Sequence, residues 1–249
     1  MRLPVVLALL GLAAACPANA ANRLIQPALH IARGEPGRPQ VALTLDACMG
    51  RTDLRILDAL VKNQVPATIF VTARWLKINR PALAVMLAHP ELFEIEDHGA
   101  MHVPAVTTQP TVYGIRSAGT LRAVGAEVEG GEKALFDDTG RHARWYRDAT
   151  ALYSADALAE IRKMGYRVAG YSLNGDAGAS LPAPVVAKRI EAAKDGEVII
   201  SHINQPTRPA GAGVVEGVLA LKARGFRFVR LDAVKETEDE AASKQPLTN

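Results

Sequence analysis

Val41-Ala42-Leu43-Thr44-Leu45-Asp46 is a short apolar run that ends on a carboxylate. Six residues later Thr52-Asp53 opens a stretch with Leu54, Leu57, Leu60 and Val61 at helical spacing. A bounded apolar run of this length reads as a buried strand, and apolar residues recurring every three or four positions read as an amphipathic helix. Together they form one βα unit, and the unit repeats. Strands are predicted at Val41–Asp46, Ala67–Thr72, Leu92–Glu96, Arg144–Arg147, Arg167–Ser172, Val198–Ser201 and Arg227–Leu231. Between them helices are predicted near Asp53–Asn63, Pro81–Ala88, Ser117–Leu135, Ala155–Met164, Pro184–Ala193 and Val214–Arg224. Alternation of this kind gives an α/β fold around a mainly parallel sheet of about seven strands. Thr52 and Ser154 stand where N-caps belong, and Gly165 and Gly225 where helices end.

A chain of 249 residues, 49% of them hydrophobic, suffices for one substantial core, so a single domain is expected. The formal net charge is +3 and its basic residues are scattered, which argues against nucleic-acid binding.

Met1-Arg2, the apolar stretch Val5–Ala15 and the small-x-small triplet Ala18-Asn19-Ala20 have the form of a signal peptide with cleavage after residue 20. Export to the periplasm or beyond is therefore expected, with residues 21–38 as a lead-in, 39–235 as the domain and the polar segment 236–249 as a disordered tail. Cleavage there discards Cys16 and leaves Cys48 as the single cysteine. The alternative is a lipoprotein signal around Leu12–Cys16, which would keep a lipidated Cys16 and tie the protein to a membrane.

In parallel α/β sheets, ligands gather beyond the carboxyl ends of the strands. That edge carries Asp46 after the first strand, His98 and His102 after the third, Arg147 at the fourth, Asp176 after the fifth and His202 after the sixth. Each has a plain structural alternative: a loop cap for Asp46, a salt bridge for Arg147, a hydrogen-bonded core histidine for His202. Their concentration on one edge is what marks a candidate active site. His98 and His102 have H-x-x-x-H spacing, which on a helical turn would bring both imidazoles to one ion.

These residues resemble the motifs of NodB-type polysaccharide deacetylases, carbohydrate esterase family four, from about Pro39 to Asp232. Thr44-Leu45-Asp46-Ala47 resembles T-F-D-D, and Glu94–His102 resembles a strand leading into H-[ST]-x-x-H. Tyr146-Arg147-Asp148-Ala149 is similar to F-R-P-P, Asn174-Gly175-Asp176 supplies the aspartate after a strand, and Val198–His202 is similar to an apolar strand ending in L-x-H.

The resemblance implies a distorted (β/α) barrel that removes N-acetyl groups from an amino sugar of a cell-envelope polysaccharide such as peptidoglycan, with a divalent ion, zinc by expectation, on His98 and His102. It implies Asp46 as base, His202 as acid, Arg147 as the group holding Asp46, and Asp176 as the group holding His202 or Arg147. Trp145 and Tyr146, beside the motif arginine, are the expected sugar contacts.

Two departures stand out. Ala47 replaces the family's second aspartate, a metal ligand, and Gly99 replaces Ser or Thr. Asp46, Cys48, or a water or substrate atom could fill the coordination vacancy. Strand alternation puts Asp46 and Cys48 on one face, yet the sequence reading favours Cys48 as a small buried hydrophobe. The competing function is a glycan-binding member of the fold that has lost hydrolysis.

Overall fold

The computed structural model describes residues 23–233 and the backbone of Glu236–Thr237. The expected leader and Cys16 lie outside the described residues, as does the rest of the tail. In chain order the elements are β1 (His30–Ile31), β2 (Gln40–Ala47), α1 (Leu54–Lys62), β3 (Ala67–Val71), α2 (Ala73–Ile78), α3 (Arg80–Ala88), β4 (Phe93–Asp97), β5 (Thr111–Val112) and β6 (Ile115–Arg116). There follow α4 (Leu121–Thr139), β7 (Trp145–Tyr146), α5 (Ala155–Lys163), β8 (Arg167–Val168), β9 (Leu173–Asn174), α6 (Ala183–Glu191), β10 (Val198–His202), α7 (Ala210–Ala223), β11 (Arg227–Val229) and β12 (Glu236–Thr237).

Seven parallel strands run in the order β8-β7-β4-β3-β2-β10-β9, with β11 beside the start of β2. The edges β8 and β9 do not pair with each other, so the barrel is half open. Register carries the argument to the site. His202 lies opposite Asp46, Ala47 opposite Val71, and Val71 opposite Asp97. The carboxyl ends of four neighbouring strands thus stop at one level.

The alternation of β2 fixes which side chains reach that level. Val41, Leu43, Leu45 and Ala47 belong to the apolar layer between sheet and helices, with Ile56, Leu60, Ile69, Trp75 and Val214. Ala42 faces the barrel interior with Phe70, Trp145, Ala169 and Val198. Burying one large aliphatic side chain stabilises by roughly 1.5–3 kcal/mol. A one-residue slip of β2 would turn Leu43 and Leu45 into the polar interior and is strongly opposed.

Several expectations are corrected. The strand expected at Arg167–Ser172 breaks: Arg167–Val168 lies at one edge of the sheet and Leu173–Asn174 at the other. The crossing segment is held by Arg147, whose Nε and Nη2 donate to the carbonyls of Ala169 (3.2 Å) and Gly170 (3.0 Å). Asp53 rather than Thr52 caps α1, its carboxylate accepting from Arg55 N–H (3.1 Å), while Thr52 Oγ1 donates to Asn79 Oδ1 (3.0 Å). Ser154 does stand at the start of α5, and Gly165 and Gly225 adopt φ of 97° and 88° where their helices end. At the tail, Glu236–Thr237 pairs antiparallel with β1, so ordered structure extends past the expected domain end.

Candidate active site at the barrel mouth

The interior is layered. Above the apolar floor sits Arg147, fully buried, its guanidinium 4.3 Å from the centre of the Phe70 ring. Nη1 donates to Thr44 Oγ1 (2.8 Å) and to Asp46 Oδ1 (2.9 Å). Each of its three nitrogens thus finds at least one oxygen partner, which is what a buried cation requires. Burial pushes Asp46 up, but the charges of Arg147, His98 and His202 outweigh it, and the carboxyl stays below its ordinary value. Asp46 is an ionised carboxylate with one oxygen engaged.

Arg147 also reaches the histidines. Its carbonyl accepts from His98 Nδ1 (2.7 Å), which turns His98 Nε2 toward the mouth. There Nε2 lies 3.6 Å from Cys48 Sγ and 4.0 Å from Asp46 Oδ2. His98 and His102 do meet, with ring centroids 5.1 Å apart, but not on a helical turn. They are brought together by a loop with Gly99 at φ 86° and His102 at φ 66°.

Glu127 of α4 holds that loop. Its Oε1 accepts from Met101 N (2.8 Å) and Val103 N (3.1 Å), and its carbonyl accepts from Ala100 N (2.9 Å). A Cβ on residue 99 would stand 2.5 Å from Glu127 Oε1. Glycine is therefore required at 99, and the hydroxyl expected there gives way to a carboxylate arriving from a helix.

Opposite, Asp176 accepts from His202 N through Oδ2 (2.7 Å) and from His202 Nδ1 through Oδ1 (2.9 Å). It partners the histidine, not the arginine. Burial would lower His202, but the Asp176 charge and hydrogen bond, with Cys48 adding to them, raise it well above its ordinary value. With Nδ1 committed to Asp176, the ring's other nitrogen is turned toward Cys48 and the cleft.

Ala47 faces the sheet–helix core, away from the histidines, so the vacancy is on the other face of the strand. Cys48, 7% exposed, is there. Burial pushes its thiol up, yet the imidazoles of His102, His202 and His98 hold it well below its usual value. His98 is pulled down by burial and raised, by the Asp46 and Cys48 charges, to about 9. Donor atoms of Cys48, His98 and His102 all lie within 4.8 Å of one another. Both ring nitrogens of His102 are buried without a hydrogen-bond partner. Zinc bonds of about 2.0–2.1 Å to nitrogen and 2.3 Å to sulfur separate tetrahedral ligands by about 3.5 Å. The donor set fits a zinc-type ion.

These side chains open on a cleft of roughly 580 Å³ lined by Asp46, Cys48, His102, His202, Tyr113, Tyr171 and Arg208, among others. Trp145 and Tyr146 do not reach it. Trp145 is 1% exposed on the barrel floor, with the Arg167 guanidinium 4.3 Å from its ring, and Tyr146 is fully buried against α4 and α5 residues. Their expected contact with sugar is corrected: alternation turns both rings into packed layers. The aromatic faces at the mouth are Tyr113, 72% exposed at the tip of the β5–β6 hairpin, and half-buried Tyr171. Tyr113 and Gly114 have φ of 49° and 76°, the two positive values of a type I′ turn. A Tyr-Gly pair between Thr111-Val112 and Ile115-Arg116 was the available signal. Asn204 carried none. Its amide, oriented to satisfy both neighbours, donates to the Asp46 carbonyl (3.1 Å) and accepts from Met49 N (3.3 Å).

A half-open (β/α) barrel with a carboxylate–arginine pair, a histidine–carboxylate pair and a Cys-His-His donor set at its mouth has the architecture of a hydrolase of the NodB type. The polysaccharide deacetylase family model matches residues 33–169, more than half of the chain, and the chain belongs to that family. No curated protein sequence gives a significant match.

Among solved structures the chain is similar to a CE4 family pseudoenzyme from Bacillus anthracis, with a TM-score of 0.65, 18% identity, and 81% of this chain and 67% of that one covered. It is also similar to PdaA from Bacillus subtilis, a family 4 carbohydrate esterase (TM-score 0.64, 19% identity, 84% and 85% covered). A third is the Bc1960 peptidoglycan N-acetylglucosamine deacetylase (TM-score 0.67, 17% identity, 89% and 96% covered). At these identities the likeness shows the fold.

Proposed function

We propose that the chain is a metal-dependent N-deacetylase that removes acetyl from an amino sugar of a cell-envelope glycan. The observation that carries this reading is the pairing of the Asp46 carboxylate, held by buried Arg147, with the His202 imidazole, held by buried Asp176, at one level of the barrel mouth. A pure binding surface needs no such base and acid. The leader-like N-terminus supports export, and export puts a carbohydrate polymer of the envelope within reach.

His98 and His102 would hold the ion, with Cys48 facing the same point. Such an ion polarises an amide carbonyl and acidifies water. Asp46, kept in place through Oδ1 by Arg147, accepts the proton of the attacking water at its other oxygen. His202, aimed by Asp176, gives its Nε2 proton to the departing amine, so the products are acetate and a free amino sugar. Tyr113 and Tyr171 offer ring faces to the sugar.

Ala47 and the fold's likeness to a pseudoenzyme favour a second reading, a glycan-binding member without hydrolysis. The experiment is acetate release from N-acetylglucosamine oligomers and from peptidoglycan by the wild type and by Asp46→Asn, with binding of the same oligomers measured in parallel. Acetate release lost in the variant supports the enzyme. Binding without acetate release by the wild type supports the second reading.

A further inference from the structure

We propose that Cys48 is a metal ligand of this chain, its thiolate completing with His98 and His102 a Cys-His-His centre suited to zinc or cobalt(II) and poor for magnesium or calcium. The inference deepens the metal-dependent reading above and rests on it only for the presence of an ion.

Position comes first. On β2, Ala47 points into the sheet–helix core, so no side chain at 47 reaches the histidines without turning the strand. Cys48 points the other way and lies 3.6 Å from His98 Nε2. Its main chain is pinned from both sides: its carbonyl accepts from Thr72 Oγ1, and Asn204 bridges the Asp46 carbonyl and Met49 N. The sulfur is thus presented by a rigid segment and not by a free loop.

The second observation is independent of the cysteine. His102 is about nine-tenths buried, and neither of its ring nitrogens has a hydrogen-bond partner. An imidazole buried in that state costs free energy unless something else accepts its lone pair. His98 is prepared for the same role, with Nδ1 committed to the Arg147 carbonyl and Nε2 left facing the sulfur.

Asp46 is the competing donor. Its Oδ1 is engaged by Arg147, and its Oδ2 lies 4.0 Å from His98 Nε2, beyond the sulfur's separation from the same atom. With Cys48 as ligand, Asp46 remains available as the base. A thiolate carries the same single negative charge as the carboxylate absent at 47, so the charge of the ion is compensated to the same extent. What changes is softness: sulfur favours zinc and cobalt(II) over oxygen-preferring magnesium and calcium.

The test is cobalt(II) loading of the purified protein after chelation, read by absorption, with zinc competition for affinity. The expected result is one cobalt per chain and a sulfur-to-cobalt charge-transfer band in the near ultraviolet. Cys48→Ser should lose the band and bind zinc roughly 100-fold or more weakly, at or beyond the upper end of what losing an outer-shell partner costs. Cys48→Asp should lose the band yet keep an ion, with its preference moved toward manganese and magnesium. Thermal melts confirm that both variants fold.

Three results would overturn the assignment: cobalt bound without the band, no cobalt bound, or Cys48→Ser keeping zinc affinity within about tenfold of the wild type. Alkylation of Cys48 as fast in the zinc-loaded as in the stripped protein would overturn it too and point to a thiol nucleophile beside His202. A charge-transfer band without acetate release would leave Cys48 a ligand and count only against the deacetylase reading.

Discussion

Replacing Asp176 by Asn removes a charge and almost no volume, and the geometry dictates the consequence. Asp176 accepts two hydrogen bonds from one residue, 2.7 Å from the His202 main-chain N and 2.9 Å from its Nδ1. Asn brings only one oxygen to these two donors. With that oxygen kept on the main-chain N–H, its NH₂ faces Nδ1, which must then give up its proton and become an acceptor. His202 is left neutral, without the charge that makes it an acid toward an amine.

Loss of a general acid costs typically 10²- to 10⁴-fold, and kcat for acetate release from N-acetylglucosamine oligomers should fall by that amount. Zinc content should not change, because Asp176 touches none of the proposed ligands through the bonds it makes. Stability should fall by about 1.5–3 kcal/mol, the worth of a hydrogen bond to a charged group. The discriminating readout is the leaving group. An aryl acetate departs as a phenolate and needs no proton, so its hydrolysis should be impaired far less than that of the amide. A variant that keeps more than about a tenth of amide turnover, or that loses ester and amide hydrolysis equally, would refute the reasoning.

Ala47→Asp should place a carboxylate in the apolar layer and destabilise the fold by roughly 3–5 kcal/mol without tightening zinc, as denaturant unfolding and zinc titration would show; tighter zinc binding with increased acetate release would mean that residue 47 can turn to the mouth. Glu127→Ala should free the main-chain N–H groups of Met101 and Val103, which hold the His98–His102 loop against α4, and weaken zinc binding 10- to 100-fold, with Glu127→Gln recovering much of it. At the base of the barrel, burial and the neighbouring charge of Glu94 raise Glu96 to about 9. Between the ordinary carboxylate value and that point the folded chain holds a proton that the unfolded chain has released, so stability falls as pH rises, by at most about 1.4 kcal/mol per unit. Glu96→Gln keeps the acceptor for Arg144 N and Trp145 N, and in denaturant unfolding at pH 5 and pH 8.5 it should match the wild type at the lower pH and exceed it at the higher; parallel curves at both would contradict this.

Periodicity alone made the βα repeat legible, because the two-residue alternation of β2 and the helical spacing of Leu57 and Leu60 both serve the same buried layer. It could not show that the strand begun at Arg167 stops after Val168 and that a second, Leu173–Asn174, forms at the opposite edge, since that break is set by the Arg147 guanidinium more than twenty residues away in sequence. The polar strand ends placed Asp46, His98, His102, Arg147, Asp176 and His202 together, because register brings strand ends to a common level and the loop from Gly99 carries His102 back to it. Trp145 misled because its residue type outweighed its place on the strand. Residue type suggested a sugar platform, whereas the face of the strand turns the ring into the barrel floor. Glu127 was invisible: its role comes from a helix crossing over a glycine, a contact with no local signature.

The most direct measurement is acetate release from N-acetylglucosamine oligomers by the protein as purified, after chelation, and after zinc is returned. The account predicts release by the purified protein, loss on chelation and recovery with one equivalent of zinc. A zinc-loaded protein that binds the oligomers and releases no acetate from them or from peptidoglycan would contradict it.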